Sequence, residues 1–408
     1  MHSCQTIVSA LIFQQGGDIL LHFIQKGLNM KKFMNLLFTA ALILVCGCSV
    51  VKCGTDKPAA PAVKKVRFGL YVDTGASGNG VFHLASLVAH SPQAELELLM
   101  VDDIRKGKLN DIDVLIMPGG GSRKQCAAIG KEHWEKIRSF IRNGGGYVGT
   151  CAGMFNVLDH LLGLLPFSRH IGAGGSTAYV TVDITPEGAK ILGLESAGPR
   201  VVRYSGGPTA YKVKNSKCEG KGISLATFKT SVSRSTSAHG KKFIGTDALL
   251  YGTLGKGKIA AVSFHPEYWE STHDIMLGCF YAASGVKLTP EFPRKNYRPV
   301  RAGILSIGLN GKEPLEMMLK LEREADIDLD YVMGAELNQG ILNHLDYLII
   351  PGSKKEIIKK YLSSKRLEKF MNGGGVIIAT GDVAGIVPDH KNFIKLPADS
   401  DVRKYILK

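Results

Sequence analysis

Short apolar runs alternate along this chain with stretches that carry apolar residues on one helical face, so strands and helices are expected to take turns. Val66 to Val72 (VRFGLYV) reads as a buried strand that stops at Asp73-Thr74-Gly75. Val81 to Val88 fits a helix, Glu95 to Val101 a second strand, and Ile112 to Met117 a third that ends in Pro118-Gly119-Gly120-Gly121. His133 to Arg142 is predicted as a helix with Trp134, Ile137, Phe140 and Ile141 on its apolar side, stopped by Asn143 and three glycines. Tyr147 to Thr150 is a fourth strand. Such alternation predicts an α/β fold with a doubly wound parallel sheet covered on both faces.

The pattern then recurs. Val66-Arg67-Phe68-Gly69 returns as Val300-Arg301-Ala302-Gly303, and Ile112 to Gly119 (IDVLIMPG) returns as Leu345 to Gly352 (LDYLIIPG). Phe140 to Gly146 (FIRNGGG) returns as Lys369 to Gly375 (KFMNGGG), and the three offsets are 234, 233 and 229. Residues 300–408 therefore read as a truncated second copy of the fold in 65–288, with 289–299, which holds Pro290, Pro293 and Pro299, as linker. The alignment sets Thr380 opposite Cys151, and the copy is expected to end before any counterpart of the strand that precedes His265.

The N-terminus carries a different signal. Met30-Lys31-Lys32 leads into the apolar run Phe33 to Val45 and then Cys46-Gly47-Cys48-Ser49. That run is shorter than the roughly 20 residues of a membrane span. It reads as a secretory signal, with 1–47 as the signal region and 1–29 as an upstream extension. Val45 to Cys48 resembles a bacterial lipobox, which implies lipidation of Cys48, a membrane anchor and an envelope location facing the periplasm or exterior. A cleaved signal without lipid and an uncleaved anchor are the alternatives. Residues 48–64 read as a polar tether.

Composition narrows the function classes. Of the 408 residues 45% are hydrophobic and 21% charged, enough for two domains with cores. The net charge of +15 is spread as +4 over 1–64, +8 over 65–294 and +3 over 295–408, with no dense basic block interleaved with aromatics. No nucleic-acid partner is expected. Eight cysteines in so long a chain make no disulfide scaffold, though Cys126 and Cys218 remain open as a pair. Nothing in the spacing suggests a metal site or a cofactor.

The chemistry concentrates in two motifs whose key residues lie 114 positions apart. Cys151 sits in Gly149-Thr150-Cys151-Ala152-Gly153, a small-residue turn between a strand and a helix. His265 opens His265-Pro266-Glu267 after the apolar run Ile259 to Phe264. Cys151, His265 and Glu267 thus form a candidate triad: nucleophile, base and orienting carboxylate. The Ala152 N–H with that of Gly119 or Gly120 would form an oxyanion hole. Tyr204, Ser205, Gly206 and Gly207 are candidates to line a substrate pocket, with a plain turn as the alternative. His170 and Ser176 fall in a loop from which His170 would reach the site, although a surface position suits that histidine better.

A strand, a tight GxCxG turn, a helix and a later strand ending in His-Pro-Glu resemble the class I glutamine amidotransferase-like family. Pro118 to Ser122, Gly145 to Gly153 and Tyr204 to Pro208 resemble in particular the group related to the N-terminal domain of biotin-protein ligases. The resemblance covers roughly 66–285, with a weaker echo over 298–388, and implies a flavodoxin-like sheet. No biotin-ligase catalytic domain is present, so biotinylation is not implied. The expectation is a lipid-anchored thiol amidase or hydrolase acting on a small-molecule or peptide amide. A binding protein without turnover and a structural envelope protein are the alternatives. Substrate and oligomeric state are not legible.

Overall fold

The computed structural model describes residues 64–407, apart from 173–176, 233–242, 294–298, 306–311, 333–336, 338–339 and 353–354. The signal region, Cys48, the tether up to residue 63 and Ser176 lie outside the described residues, as does the side chain of His170. Among the described residues no helix is long and apolar enough to cross a membrane.

The first sheet begins as the sequence pattern predicts. Strands β1 (Val66–Tyr71), β2 (Ala94–Leu99), β3 (Val114–Met117) and β4 (Gly146–Thr150) pair in parallel in the order β2-β1-β3-β4. Helices α1 (Gly78–Ala89), α2 (Val101–Arg105), α3 (Ser122–Ile129), α4 (Lys131–Arg142) and α5 (Ala152–Val157) intervene. After α5 come β5 (Phe167–Gly172), β6 (Thr177–Ile184), α6 (Pro186–Leu192), β7 (Gly198–Ser205), β8 (Pro208–Lys212) and β9 (Lys221–Phe228). β10 (Asp247–Leu254), β11 (Gly257–Val262) and α7 (Glu270–Ser284) complete this part.

β11 joins β4 in parallel, with Ile259 opposite Tyr147 and Val262 opposite Thr150. From β11 the sheet continues antiparallel through β10, β9, β6 and β7, while β5 pairs antiparallel with β8, which also bridges to β10. The sequence pattern showed the parallel half but not this antiparallel extension. Its strands carry turn glycines and half-exposed faces that do not announce which neighbours they pair with. The far strand β7 returns to the site, because the His265 N–H donates to the Arg203 carbonyl at 2.8 Å.

Period-2 alternation divides the core. Phe68, Leu70, Ile116, Val148 and Val262 face α1 and α7, whereas Tyr71, Leu115, Tyr147 and Ala261 face α3, α4 and α5. Phe68 meets Phe280 of α7 edge-on, with centroids 5.3 Å apart.

The second sheet holds β12 (Val300–Leu305), β13 (Ile327–Val332), β14 (Tyr347–Ile350), β15 (Val376–Thr380) and β16 (Phe393–Leu396), all parallel, in the order β13-β12-β14-β15-β16. Its helices are α8 (Lys312–Glu322), α9 (Lys355–Tyr361), α10 (Ser364–Asn372) and α11 (Arg403–Ile406). The order matches β2-β1-β3-β4-β11, and paired positions make the same contacts. Asp113 accepts from the Arg67 N–H at 2.8 Å, and Asp346 accepts from the Arg301 N–H at 2.9 Å. A Cβ on Gly145 would strike the Phe140 ring, as one on Gly375 would strike Phe370.

β16 corrects one expectation. It stands beside β15 as β11 stands beside β4, so the second copy does hold a fifth strand. The strand escaped notice because it is four residues long and lacks the apolar run of β11. Residues from Val63 onward form one compact unit. In it α1 packs against the second sheet: Tyr331 stacks on Phe82 at 3.8 Å, and the Ser86 hydroxyl donates to Glu322 at 3.0 Å.

The packing of α7 on β1 carries an expected outcome. Phe280→Ala should lower stability by about 3–5 kcal/mol, checked by urea unfolding with the slope held common to both proteins.

Candidate active site

The site begins with a bent backbone. Cys151 is the only described non-glycine residue with positive φ, at φ 49° and ψ −98°. A left-handed side-chain-bearing residue costs about 1–3 kcal/mol and persists only where its surroundings impose it. Here β11 does so: the Cys151 N–H donates to the Val262 carbonyl at 2.8 Å. Behind the turn, Gly149 and Gly153 leave no room for a Cβ, since a Cβ on Gly149 would lie 2.6 Å from Gly153 and one on Gly153 would strike the Met117 carbonyl. This is the physical content of the Gly-Thr-Cys-Ala-Gly motif.

The structure brings the three candidate residues together. Pro266–Tyr268 form a single 3₁₀ turn after β11, which returns Glu267 to its own histidine. His265 Nδ1 and Glu267 Oε1 are 2.8 Å apart, and the two side chains are 5% and 0% exposed. The Cys151 thiol donates to the Ser205 carbonyl at 3.4 Å and is also within hydrogen-bond reach of His265. Burial alone would strip the imidazolium of its proton, but the Glu267 carboxylate and the Cys151 sulfur outweigh it and hold the His265 pKa up to about 10. Glu267 also sits at the positive end of α1, where a Cβ on Gly80 would lie 3.4 Å from Oε1.

The glycine loop after β3 closes the other side. A Cβ on Gly119 would fall 2.8 Å from His265 Cε1 and 3.5 Å from Cys151 Cβ, so only glycine lets this loop approach both. Gly120, at φ 131°, crosses the Asp73–Ser77 turn, and the Ser77 N–H donates to the Gly119 carbonyl at 2.8 Å. Gln125 ties the loop to α5: its Nε2 donates to the Pro118 carbonyl at 3.0 Å, and its Oε1 accepts from Asn156 at 2.8 Å. Of the three oxyanion-hole candidates, Gly119 lies against Cys151, Gly120 packs on the Gly75–Ser77 backbone, and Ala152 follows Cys151 in the chain. The helix that Cys151 caps is short, six residues, so His265 and Glu267 carry more of the local electrostatics than its dipole does.

The Tyr204 to Gly207 candidates divide. Tyr204 is not a pocket residue: it is fully buried between Phe228 and Phe243, and its hydroxyl donates to the Gly207 carbonyl at 2.6 Å. Strand alternation on β7 turns it inward, with Val202, while Arg203 and Ser205 face out. Gly206 and Gly207 make the turn into β8, and Ser205 offers its carbonyl to the thiol. Cys126 and Cys218 are free thiols, and Cys126 donates to Asn156 at 3.4 Å. Among the described residues no group of three His, Cys, Asp or Glu could hold a metal ion.

Four neighbours were not singled out from the sequence. Tyr268 meets His265 edge-on at 5.3 Å, and Arg203 lies 4.2 Å over the Tyr268 ring. His83 of α1 packs on Tyr268 at 4.7 Å, and His273 hydrogen-bonds the Glu267 carbonyl at 3.2 Å. Burial, then the charges of His273, Arg203 and His265, push the His83 pKa down to about 3, so it stays neutral. Tyr268 and Arg203 each adjoin a motif, whereas His83 and His273 come from helices α1 and α7.

The fold and site define an α/β scaffold of the glutamine amidotransferase-like type, with a cysteine at its strand–helix turn. Residues 71–158 match the family described as biotin-protein ligase, N terminal. The biotin–protein ligase of Schizosaccharomyces pombe is 25% identical over 174 residues, 38% of this chain and 25% of that one. The pyridoxal 5'-phosphate synthase subunit PdxT of Bacillus cytotoxicus is 42% identical over 67 residues, 16% of this chain and 33% of that one. The chain therefore spans a quarter to a third of these relatives' length. Among solved structures, PurLQS from Thermotoga maritima aligns with a TM-score of 0.40 at 16% identity, covering 53% of this chain and 98% of that one.

Two outcomes follow from this geometry. Cys151→Gly should be more stable than Cys151→Ala by about 1 kcal/mol, because glycine accepts positive φ; thermal unfolding of the two variants checks it. The proton on His265 has a folded pKa above its usual 6.5, so its stabilisation is complete below that pH and is lost as pH rises through about 10. The gap in melting temperature between wild type and Glu267→Gln should therefore be widest near about pH 6 and narrow towards about pH 10, in a pH series of thermal melts.

Proposed function

We propose that this protein is a cysteine-dependent amidase or hydrolase, lipid-anchored through Cys48 at the bacterial cell envelope. The observation that carries the reaction is the buried His265–Glu267 pair at 2.8 Å, set beside the Cys151 sulfur beneath a glycine loop. In this reading the proton of Cys151 is already held on His265, beside Glu267, and Cys151 Sγ attacks the carbonyl carbon of an amide as the thiolate. The Ala152 N–H and one from Gly119 or Gly120 stabilise the oxyanion of the tetrahedral intermediate. The C–N bond then breaks, His265 returns its proton to the departing amine, and a thioester remains on Cys151. Water attacks the thioester with His265 as base, releasing a carboxylic acid and restoring the thiol. Glu267 keeps the imidazole oriented throughout and neutralises its charge.

A small-molecule or peptide amide of the envelope suits this reading better than glutamine. Passing ammonia onward would call for a synthase partner, and ATP-dependent synthesis belongs to the cytosol rather than to an envelope anchor. The anchor rests on the lipobox-like run Val45 to Cys48.

The test is acylation by p-nitrophenyl acetate. A burst of nitrophenolate and an acetyl adduct on Cys151 should appear in wild type, vanish in Cys151→Ala and slow by about 10²–10⁴-fold in His265→Ala. Unchanged acylation in Cys151→Ala would overturn the reading. For the anchor, intact mass from a bacterial host should show a chain that begins at a lipid-modified Cys48; an unmodified N-terminus would remove that part.

A further inference from the structure

Beside the thiol lies a surface that the triad does not use. On the outward side of β7, Arg203 stands directly across from Tyr179 of β6. Its guanidinium covers one side of the Tyr268 ring, and among the described residues it has no carboxylate within ion-pair distance. Two nearby acidic side chains are engaged elsewhere, Glu267 with His265 and Asp274 with Arg200 at 2.8 Å, while Glu270, next to Trp269, is exposed. Next to Arg203, Tyr179 is 65% exposed and stacks on Trp269, with centroids 4.6 Å apart and planes 29° from parallel. A large aromatic held open to solvent in an ordered stack is costly unless something covers it. The strip leads directly to the chemistry, since the Arg203 carbonyl holds the His265 N–H and Ser205, two residues on, faces the thiol.

We propose that Arg203, Tyr268, Tyr179 and Trp269 form a substrate subsite for a carboxylate carried on a ring. The carboxylate pairs with the Arg203 guanidinium, which is already flattened against Tyr268 and ready for two-point contact. The ring lies on the Tyr179–Trp269 stack, whose π faces take an aromatic ring or the C–H face of a sugar ring. The proposal deepens the reading of Cys151 as the reacting group and rests on it: the substrate is an amide whose acid or amine part bears an anionic ring.

The chain has two tryptophans, so a Trp134→Phe background isolates the emission of Trp269. In that protein, titration with acetate, phenylacetate and glucuronate reads the subsite directly. Phenylacetate or glucuronate should bind at least about tenfold tighter than acetate, and whichever binds tighter identifies the ring as aromatic or sugar. Arg203→Met keeps the stem on Tyr268 and should lose at least about tenfold for both, Arg203→Lys should regain part of it, and Tyr179→Ala should erase the preference over acetate. Equal binding of all three acids, or binding indifferent to Arg203→Met, would overturn the subsite. This readout does not depend on turnover, so a failed subsite and a failed acylation burst are told apart.

Discussion

One constraint organises this molecule: the backbone at Cys151 turns through a conformation that a side-chain-bearing residue avoids. Everything nearby holds that turn in place. β4 and β11 clamp it from the sheet, with the Cys151 N–H bonded to Val262, and the glycines at 149 and 153 let α5 and Met117 close in behind. The same clamp sets the triad, because the strand that receives the Cys151 N–H is the one that ends in His265. Stored strain of about 1–3 kcal/mol in a marginally stable fold is tolerated where it aims a side chain, here the Cys151 thiol.

The second copy shows what the fold becomes without that constraint. Its strand order and Asp–backbone bonds match the first copy, yet Thr380, which stands where Cys151 does, has an ordinary φ of −109°. The positive φ passes to Gly381, at 62°. Counting along the paired strands, Ala398 occupies the place of His265. The cysteine and the histidine are absent together and the turn relaxes, as expected if strain is kept only where a site uses it. The copy instead packs on α1, whose other end meets Glu267, so it buttresses the helix that backs the triad.

Much of this was legible in the sequence, for physical reasons. Buried parallel strands are continuous apolar runs, and the glycines that punctuate them mark close approaches, so β1, β3, β4 and the 119–121 loop stood out. Cys151, His265 and Glu267 were found because each directly follows such a run. The antiparallel extension was not legible, since half-exposed strands do not disclose their partners, and β16 was too short to register. Tyr204 looked like a pocket residue because the motif around it is glycine-rich; strand parity, which turns it into the core beside Val202, decided otherwise. Arg203 carried no motif, and its role emerges only once β7 has folded back to His265.

The account stands on coupling between Cys151 and His265, and the most direct measurement is the alkylation rate of each cysteine by iodoacetamide at neutral pH, resolved by peptide mass. Cys218 is a built-in reference: it is half-exposed, whereas Cys151 is only 5% exposed. The account predicts that Cys151 reacts faster than Cys218 despite its burial, and that His265→Ala removes the lead. A Cys151 slower than Cys218 and indifferent to His265 would contradict it.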